Sequence, residues 1–169
     1  WEETVIFFND SEKFDYNSPE KLVDMRSGVI CLPENYRSVS EISDFKLRIT
    51  HPANFSKWDS LSKDEYQEQK SAFESILLEN GLKYLNNVKV NKESLSERII
   101  MTDTFTPKTI KRFTSHENGT LYGSPTKKRD GSTRFKNLFL AGTDQGYIGI
   151  VGAMLGGIAI ANNRILRSG

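Results

Sequence analysis

One carboxylate stands alone in an otherwise uncharged segment, and it is the strongest chemical feature of the sequence. Between Leu138 and Asn163 the only charged side chain is Asp144, and six of the twelve glycines fall in the same run. A lone carboxylate in an apolar crevice is costly unless it accepts hydrogen bonds, for instance from the hydroxyls of a ribose or ribityl chain. The segment therefore predicts that Asp144 binds a ligand rich in hydroxyl groups.

Glycines on both sides of Asp144 would let a flat ligand approach the backbone. The fully apolar run Asn137–Ala141 predicts a strand covered on both faces, and Gly142 then permits a tight turn at its carboxyl end, where open α/β sheets bind ligands. Thr143 separates this glycine from Asp144. Further along the chain lie three more positions without a side chain to block a flat ring: Gly146, Gly149 and Gly152.

A helix is predicted directly after this turn, from Gly149 to Leu166. The free N–H groups of its first turn, near Ile150 and Val151, would face a ligand oxygen that bears negative charge. A phosphate cradle of the self-sufficient kind is excluded, because neither G-x-G-x-x-G nor G-x-x-x-x-G-K-[ST] occurs in the chain.

Two other interpretations of the same helix stay open. A core helix whose small residues allow close packing needs no ligand. A membrane span is suggested by Gln145–Ala161, an uncharged run of 17 residues with Gly152 and Gly156 in G-x-x-x-G spacing. That length is at the lower limit of the roughly 17 to 25 residues that a spanning helix needs.

The elements that precede this segment predict an α+β fold with a mixed or antiparallel sheet. Three strands are predicted over residues 4–8, 29–32 and 45–50, the last with an alternating buried face. Ser62 and Glu65 form a capping-box pattern at the start of a helix that runs to about Leu85. Its buried face is predicted to carry Tyr66, Phe73, Ile76, Leu77 and Tyr84.

Further local signals follow in the second half. Glu97–Phe105 predicts another strand, and Thr106 followed by Pro107 predicts a short helix that runs to Phe113. Asn118-Gly119 indicates a turn, and Asp130-Gly131 in a basic stretch indicates a solvated hairpin tip.

Length and composition bound the class of protein. A chain of 169 residues with ten Phe, six Tyr and two Trp folds around a core but is too short for a complete two-domain flavin or nicotinamide enzyme. A net charge of +1 gives no global field for nucleic acid, and the single Cys31 excludes an internal disulfide or a thiolate metal cluster. Without a visible signal peptide, a cytoplasmic location is expected, and the start at Trp1 suggests a fragment.

The run NLFLAGTDQGYIGIVGAMLGGIAIAN resembles the C-terminal flavin-binding signature of the FAD-dependent phytoene desaturase, carotenoid isomerase and retinol saturase group, in the amine-oxidase-like superfamily. The segment from Phe105 to Pro125 is similar to that family's link from the substrate domain to the flavin domain. The resemblance implies that residues 1–125 are the substrate-domain part. Residues 126–169 would then supply the closing strand and helix of a Rossmann-like FAD domain, whose N-terminal dinucleotide-binding unit is absent.

The resemblance also implies roles for single residues. Asp144 would contact the ribityl chain, although many members have Gly-Asp where Thr143 intervenes here. The residues beside the flavin would be Gly142, Thr143, Gly149, Ile150, Val151 and Gly152. FAD would carry hydride transfer or isomerisation on an apolar, polyene-type substrate. Tight binding of FAD would need the N-terminal remainder of the same protein.

No acid–base residue is fixed by the sequence. His116, before a glycine turn, and Tyr147, inside the predicted flavin turn, are the candidates for catalysis, and Arg112 and Tyr122 could line the same site. His51 and His116 have no His or Cys at metal-ligand spacing, so no metal site is expected.

Two functions from different classes follow. The first is the C-terminal part of an FAD-dependent oxidoreductase. The second is a non-catalytic α+β binding or assembly module whose glycine-rich helix packs against a partner chain. A contact of the basic run Lys127–Arg129 with membrane lipid is the alternative to a solvated loop.

Overall fold

The computed structural model describes residues 3–13, 15, 17–36, 44–85, 97–122, 127–145 and 147–167. The chain divides into two units, Trp1–Pro107 and Lys108–Gly169. The predicted boundary after residue 125 lies inside the second unit, among residues outside the described ranges. The assignment of the two parts to a substrate domain and a flavin domain stays a prediction.

The first unit contains a three-stranded antiparallel sheet in the order β1-β2-β3, formed by Val5–Asn9, Ser27–Cys31 and Arg48–Thr50. Ile6, Ile30 and Ile49 lie in register across it. With the helices described below, this sheet confirms the predicted α+β class and antiparallel arrangement. β3 is shorter than predicted, because residues 45–47 make no strand pairing.

The core of the first unit forms on one face of this sheet. Phe8, Ile30 and Leu85 are buried together, and Ile49 and Tyr84 pack against them. The ring of Tyr84 stacks on Phe8 with centroids 3.9 Å apart. Its hydroxyl donates to the carboxylate of Asp10. Burial, aided by this hydrogen bond, raises the pKa of Tyr84 to about 12.

Two helices follow the sheet. In α1, Phe55–Asp59, the side chain of Asn54 accepts a hydrogen bond from the N–H of Lys57. Trp58 of this helix is buried and its indole N–H donates to the carbonyl of Leu22 at 3.0 Å. α2 is Lys63–Leu82, and Ser62 and Glu65 form both hydrogen bonds of the predicted capping box.

The face of α2 follows the predicted pattern with one exception. Tyr66 and Phe73 each lie with their ring centroids 5.8 Å from that of Trp58, so α1 and α2 pack through aromatic contacts. Ile76, predicted to be buried, is 47% exposed. Tyr84 reaches the core from a turn beyond the last residue of the helix.

The strand predicted over Glu97–Phe105 is wrong. These residues form a turn and an extended segment without strand pairing, and Ile100 and Met101 are more than four-fifths exposed. Several of these residues are β-branched or apolar, but among the described residues no neighbouring strand pairs with them. Strand propensity alone does not form a sheet, because the backbone hydrogen bonds need a partner strand. The short helix predicted after this segment is confirmed as α3, Pro107–Thr114.

The second unit contains α4, Gly149–Ile160, which continues as a π-helical segment, Ala161–Leu166. Together they cover the predicted helix from Gly149 to Leu166. The turn predicted at Asn118-Gly119 is a short 3-10 helix, Glu117–Gly119, with both Asn118 and Gly119 at positive φ.

The predicted apolar strand Asn137–Ala141 is largely wrong. Only Phe139 makes a strand-like pair, an isolated bridge to Ser132, while Leu138 and Leu140 remain close to half exposed. Among the described residues no second strand covers these side chains. The Rossmann-like sheet that this strand was expected to close is therefore not confirmed.

The hairpin tip predicted at Asp130-Gly131 is also corrected. The bridge between Ser132 and Phe139 places the intervening loop after this pair, not at it. Gly131 is buried at a φ of +66°, against the side chain of Ile160 and the carbonyl of Leu140. A β-carbon there would lie 2.6 Å from that carbonyl oxygen, so this position requires glycine.

The two units have opposite net charge. Residues 1–107 contain 13 Lys or Arg and 19 Asp or Glu, whereas residues 108–169 contain ten Lys or Arg and three Asp or Glu. The near-neutral total therefore conceals a unit of net charge −6 and a unit of net charge +7.

Candidate functional site

Two residues singled out in the sequence, Asp144 and His116, are in contact. The Nε2 atom of His116 lies 3.1 Å from a carboxylate oxygen of Asp144. The side chain of His116 is 21% exposed and that of Asp144 is 44% exposed, so the pair lies at an accessible surface. Asp144 is therefore not isolated in an apolar crevice, as the sequence alone suggested.

The ring of His116 is fixed on its other side as well. Nδ1 lies 2.7 Å from the carbonyl oxygen of Thr120, and a carbonyl can only accept, so Nδ1 carries a proton. A carboxylate also only accepts. The hydrogen bond between His116 and the Asp144 carboxylate therefore needs Nε2 as its donor.

The backbone around His116 explains why its ring is held. Ser115 and Asn118 adopt positive φ angles of 59° and 54°, and the N–H of Gly119 donates to the carbonyl of His116 at 3.1 Å. This tight reversal brings Thr120 back beside the ring. Asn and Gly tolerate these conformations with little strain, whereas Ser115 does so less readily.

A lysine holds the backbone of the same segment. Nζ of Lys127 donates to the carbonyl of Asp144 at 2.7 Å and also to the carbonyl of Tyr122. Lys127 is therefore a structural cation that connects two loops of the second unit. The sequence indicated it only as part of a basic run.

Gly146 lies outside the described residues, and the other predicted glycines around Asp144 divide into two groups. Gly142 and Gly149 have positive φ angles of 118° and 84°, and a β-carbon added at either would meet nothing within 4 Å. Gly152 is different, since its β-carbon would lie 2.6 Å from Cβ of Tyr147. Gly152 thus provides space for Tyr147, and the predicted approach of a flat ring to it is blocked by that residue.

The start of α4 is accessible. Its N-cap residue, Ile148, has no side-chain hydrogen bond to the first turn. Ile150 and Val151, in that turn, are 82% and 70% exposed. Thr143, between Gly142 and Asp144, is half-buried. The uncapped start of α4 presents free N–H donors, and the carboxylate of Asp144, a few residues earlier in the chain, presents a hydrogen-bond acceptor.

The remaining candidates lie elsewhere or have other partners. Tyr147 is 43% exposed, and the guanidinium of Arg129, which the sequence indicated only as part of a basic run, lies 5.3 Å from its ring centroid. The guanidinium of Arg112 lies near the ring of Phe113, and Tyr122 is 45% exposed.

His51 belongs to the first unit and has a structural role. Its Nδ1 donates to the carbonyls of Asp24 and Ser27, at 3.1 and 2.9 Å. Burial lowers the pKa of His51, against the opposing effect of these hydrogen bonds. In the described part of the chain no group of three or more His, Cys, Asp or Glu could hold a metal ion.

The described residues around Asp144 supply hydrogen-bonding groups beside open space. Asp144 supplies an acceptor, Gly142 and Gly149 leave open space, and the first turn of α4 supplies donors. These groups suit hydroxyls and a ring oxygen.

Comparisons with known proteins identify no relative, since no family model, curated protein or solved structure matches the chain. Within the described ranges, one helical stretch, Gly149–Leu166, is long and apolar enough to cross a membrane by length and composition. Core helices of soluble proteins share this property, so it is weak evidence for a membrane association.

Proposed function

We propose that this chain is the C-terminal part of an FAD-dependent oxidoreductase of the phytoene desaturase-like group, acting by hydride transfer or isomerisation on an apolar, polyene-type substrate. The observation that carries the proposal is the arrangement around Asp144. A carboxylate held by His116 stands after an open glycine turn and shortly before an uncapped, glycine-led helix start.

Each group would have a defined task. Asp144 would accept hydrogen bonds from the ribityl hydroxyls through its partly exposed carboxylate. The N–H groups at the start of α4 would face the pyrimidine edge of the flavin ring, where negative charge accumulates on reduction. The flavin supplies the redox chemistry when bound.

His116 would act as a positioning residue. Its ring holds one oxygen of Asp144 and is itself held by the carbonyl of Thr120. This arrangement orients the carboxylate and leaves its other oxygen directed away from that bond. The earlier prediction that His116 or Tyr147 takes part in proton transfer remains a prediction.

The test uses the full-length protein and the variant Asp144→Ala. Loss of the acceptor for the ribityl hydroxyls should lower the flavin content after purification, measured from the flavin absorbance bands per polypeptide. Glu117→Ala is the matched control, because Glu117 is an exposed carboxylate in the same unit. Stoichiometric flavin at wild-type affinity in Asp144→Ala would contradict the role of this residue.

The second candidate is a non-catalytic assembly module whose glycine-rich helix packs against a partner chain. The observation in its favour is the exposure of apolar side chains on α4, including Met154 at 63% and Leu155 at 53%. The visible absorbance of bound flavin distinguishes the two proposed functions. A full-length protein that stays colourless when FAD is supplied supports the module and contradicts the oxidoreductase.

A further inference from the structure

The second unit contains a cleft of about 390 Å³. It is lined by Arg129, Asp130, Tyr147, Ala159, Asn163 and Arg164. Its volume is within the range of small-molecule sites, roughly 300 to 1,000 Å³.

One wall of the cleft is a loop fixed to the end of the C-terminal helix. Asp130 accepts hydrogen bonds from the N–H and hydroxyl of Ser132 on one oxygen and an ion pair from Arg164 at 3.0 Å on the other. These bonds, those from Ser132 foremost, lower the pKa of Asp130. The close contact of Gly131 with Ile160 attaches the same loop to α4. The carboxylate of Asp130 is thus bound by Ser132 and Arg164 of the same unit.

Arg129 is the cation that this arrangement leaves available. Its guanidinium lies 5.3 Å from the ring of Tyr147, and among the described residues it makes no ion pair. Tyr147 is in turn seated on Gly152, where a β-carbon would clash with it. A guanidinium that lies over an aromatic ring is positioned before a ligand arrives, so less side-chain entropy is lost on binding.

The donors in the cleft suit a phosphate group. Arg129 carries five N–H donors, and the carboxamide of Asn163 adds two more beside the guanidinium of Arg164. A carboxylate offers only two oxygens to such a set, whereas a phosphate monoester offers three. The net charge of +7 over residues 108–169 favours the approach of a dianion.

We infer that the cleft between Arg129, Asn163 and Arg164 binds a phosphate monoester, with Tyr147 as the surface that orients Arg129. The same chemistry is offered by the phosphate of a small metabolite and by the headgroup of phosphatidic acid. The exposed apolar residues of α4 would lie beside acyl chains in the second case.

The test titrates the purified protein with methyl phosphate by calorimetry and measures its co-sedimentation with phosphatidylcholine vesicles that contain phosphatidic acid. Arg129→Gln should weaken both interactions about tenfold or more. Arg134→Gln is the matched control, because it is a nearby exposed arginine beside an aromatic ring, Phe135, outside the cleft. It should retain wild-type affinity.

Each outcome bears on the inference. Binding of methyl phosphate supports a free phosphate as the source, and binding of phosphatidic acid vesicles alone supports the lipid headgroup. Equal weakening in both arginine variants would show that net charge, not this cleft, attracts the anion, and failure to bind either probe would overturn the inference. Neither measurement involves flavin, so a failure here leaves the proposed oxidoreductase function to its own test.

Discussion

At the scale of the residue, Tyr84 combines core packing with a charged hydrogen bond. Tyr84→Phe keeps the ring on Phe8 but removes the bond to Asp10. Because that bond lies near the solvent, its loss should reduce the free energy of unfolding by on the order of 1 kcal/mol, measured by denaturant titration. A variant as stable as the wild type would show that the bond contributes nothing.

The ionisation of Tyr84 offers a second measurement. Its pKa of about 12 means that one phenol should stay protonated while tyrosines at their ordinary value near 10 titrate, as followed by ultraviolet absorbance. The unfolded chain loses this proton at the lower pH. The stability that Tyr84 contributes is therefore complete below about pH 10 and is lost as the pH rises towards 12.

His51 has the opposite dependence. Burial lowers its pKa, so between the ordinary value of about 6.5 and the lower folded value the unfolded chain binds more protons than the folded chain. Stability should be complete above that ordinary value and fall as the pH is lowered through this window. His51→Gln should flatten the decrease in melting temperature between neutral and mildly acidic pH, and an unchanged slope would exclude His51 as its cause.

At the scale of the element, α2 depends on its capping box. Ser62→Ala removes the oxygen that accepts from the N–H of Glu65, and this should lower the free energy of unfolding by about 1 kcal/mol. Ser71→Ala, at an exposed position inside the same helix, is the control and should leave stability unchanged or slightly higher. Similar losses in both variants would contradict the role of the cap.

The elements that the sequence predicted well are those fixed by local chemistry. Ser62 and Glu65 marked the start of α2, and Pro107 marked the start of α3, since capping and proline geometry act within a few residues. The strands predicted over residues 97–105 and 137–141 were wrong for the opposite reason. Their strand character needs a neighbouring strand, and no local pattern says whether one is present.

At the candidate site, too, local features of the sequence could be predicted and long-range contacts could not. Asp144 was singled out because its charge is isolated in the sequence, yet its contact with His116 spans 28 residues and depends on positive φ at Ser115 and Asn118. No spacing rule predicts such a contact. Arg129 and its cleft were missed because a run of three basic residues looks like a solvated loop until Tyr147 is placed beneath it.

At the scale of the whole molecule, α4 presents several exposed apolar side chains along its length. Met154 and Ile158 are each more than half exposed, so the chain by itself should self-associate. The double variant Met154→Lys with Ile158→Lys should shift the sedimentation coefficient towards the monomer. Tyr36→Lys, which replaces a still more exposed aromatic residue in the first unit, should not. A wild-type chain that is monomeric at high concentration would contradict this expectation.

The sheet has a consequence for synthesis on the ribosome. Its three strands are consecutive in the chain, and the helix start fixed by Ser62 follows soon after them. Domains generally fold as they emerge, and neighbouring antiparallel strands close short loops. The first unit can therefore complete its core while the apolar helix at residues 149–160 is still inside the exit tunnel. The apolar helix would therefore leave the ribosome only after the first unit has folded.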